Sequence, residues 1–324
     1  MVSLLKAEYK RLFSNVFFYV VLVLSVGVNL AVLIEELLVL KENFKLGEPD
    51  YYIYIDYYFC SNIIILLFVS MFFIPPFIGR EFSDRVINNK VVSGAKRSNV
   101  FLAEFIVCSS ALLIILAVAD ILVIVVSKIM TCGQPGSILD TPSLDLFVIK
   151  LGFAMALVAN CALNVLLCMN IRSRVYSAIV VVMVYFVCTY ASSAIYEAVL
   201  PEDTQIEIDR EYFSLDDYGL YDTSDTAERK VSTSTQIHRA AMMEQRKINV
   251  KYEEAKGKEL SGIKKYLLLF LNDVLPMNQY KNSINWSIAA EASPLFIRYM
   301  AYDIIITAIL LAAGIYIFER RPLN

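Results

Sequence analysis

The sequence predicts an all-α polytopic membrane protein with six transmembrane helices, and three observations carry that expectation. Of its 324 residues 58% are hydrophobic and the mean hydropathy is +0.58, whereas a soluble chain carries about 45–50% apolar residues. Six apolar runs are long enough to cross about 30 Å of hydrocarbon at about 1.5 Å per residue. Lysines and arginines gather in alternate connections between those runs.

The elements follow in chain order. In residues 1–14, Val2, Leu5, Tyr9, Leu12 and Phe13 fall within about 100° on a helical projection, with Ser3, Lys6, Lys10 and Arg11 elsewhere. A basic amphipathic helix of this kind lies in the inner headgroup layer. The apolar runs are Val16–Ile34, Phe59–Ile78, Val100–Ser127, Leu144–Met169, Val175–Val199 and Tyr299–Phe318. The first is longer than the apolar part of a signal peptide, and Glu35, Glu36 and Leu37 follow it in place of a small-residue cleavage site. Residues 15–199 therefore hold spans one to five, and 299–324 the sixth span with a short tail.

Basic residues in the short connections set the orientation. With the N-terminus inside, twelve lysines and arginines face inward and three face outward. Both termini are expected in the cytoplasm, with the chain in the cell membrane. The segment 200–298 is left out of that comparison because long loops cross largely regardless of charge. An even number of spans places it outside.

That outer segment divides by composition. Residues 201–228 are acidic and loop-like. Over 229–260, Ile237, Ala241, Ile248, Tyr252 and Ala255 share one helical face, and Glu254 with Lys258 adds a pair one turn apart. A long exposed helix is expected there. The apolar stretch Tyr266–Leu271 is too short to span and should dip to the outer interface, near an aromatic belt holding Trp286.

Composition also excludes chemistries. A net charge of −3 and a pI near 5.4 argue against nucleic acid. No G-x-x-x-x-G-K-[ST] occurs, so the chain has no phosphate-binding loop of that type. The single histidine, His238, lies in the outer segment, which removes histidine-based hydrolytic schemes. Cys60, Cys108, Cys161, Cys168 and Cys188 lie in or beside apolar runs, Cys132 lies in a loop, and no C-x-x-C pair exists. No catalytic, cofactor-binding or metal-ligating set is expected on this chain. Polar residues inside the spans are few. Asp120, Asn160 and Asn164 are candidates for a transport path or gate, since intramembrane polar groups are functional candidates by default. Their structural alternative is a hydrogen bond to a neighbouring helix. Asp303, early in the sixth span, is expected to reach the outer headgroups.

Between spans two and three lies "IGREFSDRVINNKVVSGAKRSNVFLAEF", residues 78–105, far longer than a passive turn requires. It reads as a helix from Arg80 to Val92 with Glu81 in its first turn, stopped near Gly94, because glycine tolerates the left-handed conformation just past a helix end. Lys96 and Arg97 precede the next span. A rigid helix held between two spans is a mechanical part on which a soluble partner can push; the alternative is a charged anchor that only obeys the inside-positive bias.

Here "EFSDRVINNKVVSG" followed by "RSNVFLAEF" resembles the coupling segment of ATP-binding cassette type-2 permeases. The family pattern is close to E-F-x-x-G-T-I-x-N-K-L-x-S-G, then S-R-x-x-I-F-x-x-K. The match carries over Glu81, Phe82, Ile87, Asn89, Lys90, Ser93, Gly94, Arg97 and Phe101, and the resemblance implies that all of these but Phe101 couple the chain to an ATPase, with a coupling helix at about 80–94. The N-terminal amphipathic helix, six spans, an outer element before the sixth and a short basic tail are similar too. Where the family has a turn glycine, a threonine and a lysine, this chain has Arg85, Val86 and Glu104, and its outer segment is larger.

The resemblance implies a permease subunit of an exporter that works with a second permease subunit, in a homo- or heterodimer. Separate cytoplasmic ATPase subunits would hold the ATP and magnesium. A peptide, amphipathic or lipid-like substrate would move outward. The alternative is a membrane-bound sensing or antimicrobial-peptide immunity module that recognises an extracellular ligand through 200–298 without transporting it. A membrane-embedded enzyme lacks any acid–base or metal set.

Overall fold

The computed structural model describes residues 1–45, 55–130, 143–199 and 293–320, together with 258, 260–275, 278 and 279 of the outer segment. The acidic stretch 201–228, almost all of the expected helix 229–260, and Trp286 lie outside the described residues. Within the described residues the regular structure is helical and contains no strand. The helices are α1 (Val2–Ser14), α2 (Val16–Lys45), α3 (Ile55–Ser83), α4 (Val86–Val92), α5 (Arg97–Met130), α6 (Ser143–Ile171), α7 (Arg174–Val199), α8 (Gly262–Val274) and α9 (Ser293–Arg320).

Six of them contain windows apolar and long enough to cross a bilayer: Val16–Glu35, Ile64–Ser83, Arg97–Val126, Phe147–Ile171, Arg174–Tyr196 and Phe296–Arg320. These coincide with the six runs read from sequence. The first helix continues to Lys45, past the two glutamates that close its apolar window. Acidic residues stop a span without stopping a helix, because glutamate is itself a good helix former.

The core lies where α3, α5 and α6 meet, around Leu66, Ile74, Phe101, Ile115, Leu157 and Val165. Outside these three, α9 runs along α6, α7 along α3, and α2 across α5 and α3. Lipid tails are as apolar as leucine, so close packing and polar contacts hold such helices together more than water exclusion does. Small residues serve that purpose: Ala103, Ala111, Ala119, Ala156 and Ala162 are all buried. At Gly79 an added Cβ would lie 2.7 Å from the Cα of Arg174, and at Gly314 it would lie 2.3 Å from the Phe101 ring. The end of α3 and the start of α7 thus meet backbone to backbone.

The ends of the described chain lie together. Helix α1 packs on α5, and Arg97 at the start of α5 donates to the main-chain oxygen of Glu319 at 3.0 Å. Six crossings require this, and α4 sits at the same end. At the opposite end α8 packs on α7 and α9. Its residues Ile263, Tyr266, Leu267 and Phe270 are exposed at helical spacing, which gives it an apolar face suited to lipid, as the short run Tyr266–Leu271 led one to expect.

The segment after span two corrects one expectation. It is not a single helix from Arg80. Helix α3 runs on to Ser83, and Arg85 turns the chain in the left-handed conformation (φ 57°, ψ 20°) before α4 begins. The expected stop at Gly94 is present in detail. Gly94 has φ 96°, its N–H donates to the Val91 carbonyl, and the Ala95 N–H reaches back to Lys90, both at 3.0 Å. That pair of bonds is the Schellman arrangement, which satisfies the last carbonyls of a helix. Within α3, Pro75 and Pro76 remove two N–H donors that would otherwise meet the carbonyls of Met71 and Phe72.

Candidate functional site

Five charged side chains meet at the α4 end of the bundle. Glu8 and Arg11 come from α1, Glu81 from the end of α3, Lys90 from α4 and Glu104 from α5. The three carboxylates are 2%, 3% and 0% exposed in chain order, so each must find a partner or give up its charge. Lys90 Nζ lies 2.5 and 2.7 Å from the two oxygens of Glu81 and 3.3 Å from Glu104 Oε1, and it also pairs with Glu8. Arg11 Nη2 lies 2.8 Å from Glu104 Oε2 and 3.2 Å from Glu8 Oε2, while Nη1 pairs with Glu81. The guanidinium stands 4.0 Å over the Phe77 ring, a cation–π contact.

Three carboxylates against two cations leave one surplus negative charge. Burial, reinforced by the charge of Glu104, holds the Glu8 carboxyl above its ordinary range despite Arg11 and Lys90. The carboxylate oxygens could in principle surround a metal ion. The Lys90 ammonium, bonded to all three, already stands in that position. The arrangement therefore joins α1, α3, α4 and α5 through charge.

The sequence-marked coupling residues divide into two sets. Glu81, Ile87 and Phe101 are buried, and Phe82 and Lys90 are half-buried against the core. Asn89, Ser93 and Gly94 face outward, with Val92 87% exposed beside them. Arg85 and Asp84 are exposed as well, and Arg80 pairs with Asp84 at 3.4 Å. Arg97, half-buried, reaches across to α9. Glu81 is buried against Arg11 and Lys90. It lies in the last turn of α3, not in the first turn of a separate helix.

Sequence reasoning left Glu8 out of the amphipathic face of α1. The inward stripe runs through half-buried Leu5 and buried Glu8 and Leu12, while Val2 and Phe13 are exposed. The signal was readable: Glu8 is three residues from Leu5 and four from Leu12, spacings that share a helix face. Glu104 appeared only as a departure from the family's lysine, although a glutamate inside an apolar run is itself a site signal.

The candidate transport-path residues also separate. Asp120 of α5 pairs with Lys150 of α6 at 2.7 Å, an ion pair between neighbouring helices with both side chains largely buried. Asn160 and Asn164 donate to the Ser70 hydroxyl of α3 at 2.8 and 3.1 Å, and that hydroxyl donates to the Leu67 carbonyl at 2.7 Å. One donor and two accepted bonds use the full capacity of a serine hydroxyl. Both asparagines line a cavity of about 160 Å³ enclosed by α3, α6, α7, α9 and the end of α8. Asp303 lines it too. Only 1% exposed, it does not extend to headgroups as expected but points into the bundle.

No family model, no curated protein and no solved structure matches the chain.

Proposed function

We propose that this chain is the membrane-spanning subunit of an ATP-driven exporter, coupled through residues 80–94 to ATPase subunits on separate chains. ATP and magnesium belong to those partners. A second permease subunit, identical or different, completes the path for a peptide, amphipathic or lipid-like substrate. The chain lies in the cell membrane with both termini in the cytoplasm and α1 along the inner headgroup layer.

One observation carries the reading. Helix α4 is tied inward by Lys90 to carboxylates of α1, α3 and α5, while Asn89, Val92 and Ser93 are exposed on its outer side. A push on the outer side would therefore reach three helices at once and would not be absorbed by a soft loop. Pro75 and Pro76 lie about two turns below in α3, where missing ladder bonds allow the helix to bend. ATP-driven closure of the partners would press on α4, and the spans would reorient around that point.

The test is purification of the tagged full chain from its native membranes, followed by assay for Mg-ATP hydrolysis and for ATP-dependent uptake of a labelled amphipathic peptide into inverted vesicles. Co-purified hydrolysis together with uptake supports the proposal. An intact, folded chain that carries neither activity sinks it and leaves the sensing or immunity module as the better reading.

A further inference from the structure

We infer that the cavity between α3, α6, α7, α8 and α9 is a binding site for an alkylammonium group, with Asp303 as its counter-ion. The inference goes beyond the exporter reading, because it concerns equilibrium binding by this chain alone and needs neither ATP nor a partner.

Asp303 has no cationic partner among the described residues. Its side chain is 1% exposed. One oxygen accepts a hydrogen bond from Gln279 Nε2 at 3.1 Å, and the other, Oδ2, has no hydrogen-bond partner among the described residues. Arg298, five residues earlier on α9, is engaged instead by Asp273 of α8 at 3.2 Å. Among the described residues, no lysine, arginine or histidine lines the cavity. A buried carboxylate without a counter-charge is costly, and structures avoid it by pairing, coordination or neutralisation. The Ser192 hydroxyl on the same wall is likewise buried and unpartnered among the described residues.

The rest of the lining selects among cations. Apart from Asp303, Ser192, Thr189, Tyr185 and the two asparagines, the walls are aliphatic or thiol side chains, including the C-terminal end of α8. Hard metal ions want about six oxygen ligands, with little tolerance for hydrocarbon walls. An ammonium needs one carboxylate and a few acceptors, and its methylenes can lie against aliphatic side chains. Tyr185 adds an aromatic surface, to which cations are attracted. The cavity measures about 160 Å³. That accommodates one ammonium head with a short alkyl chain and excludes a folded peptide. A lysine side chain or the head of a cationic amphiphile has this form.

Cys188 lines the same cavity and serves as a native reporter. The purified full chain in lipid nanodiscs is treated with methyl methanethiosulfonate, and modification of Cys188 is followed by mass spectrometry. n-Hexylammonium and 1-hexanol, with equal tails and different heads, compete in parallel. Hexylammonium at four times its dissociation constant should slow modification about five-fold, since protection follows one plus the ratio of ligand to dissociation constant. Hexanol should protect far less, and Asp303→Asn should abolish the difference between the two. Equal protection by hexanol overturns the inference, as does undiminished protection by hexylammonium in Asp303→Asn or none in the unaltered chain. If Asp303→Asn fails to fold, the comparison of the two heads on the unaltered chain still decides. None of these failures touches the exporter reading, which the uptake assay tests separately.

Discussion

Replacing Lys90 with methionine removes an ammonium that three buried carboxylates share. A unit pair at the 2.7 Å separation of Lys90 Nζ and Glu81 Oε2 attracts by about 6 kcal/mol at an effective dielectric of 20. Desolvation of both ions offsets much of that. What governs the mutant is the charge left behind: three carboxylates around Arg11 alone, two surplus negative charges in place of one. Breaking a buried pair in this way costs about 3–5 kcal/mol. Removing a carboxylate should then recover part of the loss, and Glu8, already held above its ordinary range, is the one to remove. Lys90→Met with Glu8→Gln returns the surplus to one. Thermal unfolding of purified full chain in a single detergent measures all four members of the cycle. Lys90→Met should melt several degrees below the parent, and the double variant should regain a substantial part of the difference. A single variant that melts with the parent, or additive losses in the double, would refute the account of the cluster, because additivity means the sites do not interact.

Three further outcomes follow from the same geometry. Glu8 has a folded-state pKa above 4.5, so its contribution to stability is present below pH 4.5 and is lost as pH rises through the elevated value; Glu8→Gln should flatten the melting curve over that window, and an unchanged pH profile would count against it. Arg85→Gly should raise stability by about 1 kcal/mol, because a non-glycine residue in the left-handed region costs about 1–2 kcal/mol and glycine returns part of that as unfolded-state entropy; a lower melting temperature would contradict it. Gly79→Ala places a Cβ 2.7 Å from a backbone atom of α7 and should cost about 1–3 kcal/mol as overpacking, read as reduced yield and melting temperature.

Much of the fold was legible because lipid leaves a chain few options. Apolar length alone located six spans, and the even count brought the ends of the described chain together. The short amphipathic run before the sixth span was legible for the same reason, as α8. The coupling segment was legible only in part. Gly94 announced its own conformation. Arg85 did not, because an arginine carries no sign of positive φ, and only the family's glycine at that position pointed to the turn. The charge cluster was hidden for a different reason. Its members lie on four helices, and no one-dimensional spacing links Glu8 to Lys90 or Glu104. Glu81 was accordingly placed in the first turn of a separate helix, whereas it ends α3 and pairs with Arg11 and Lys90. Asp303 was misplaced because distance from the end of a span says nothing about which way a side chain points. A hydrogen bond from Asn160 and Asn164 to a neighbouring helix was legible as an alternative, but their Ser70 partner, 90 and 94 residues away, was not.

The central claim is that the outer side of α4 receives force from an ATPase, and Val92 tests it most directly. This side chain is 87% exposed, so Val92→Glu removes little internal packing and should change stability by no more than about 0.5 kcal/mol. It does place a negative charge on the surface proposed to dock. The measurement is ATP-dependent peptide uptake by inverted vesicles, alongside the Mg-ATP hydrolysis that co-purifies with the chain. The account predicts an unchanged melting temperature with both activities lost. Full uptake by Val92→Glu, with the ATPase still bound, would contradict it.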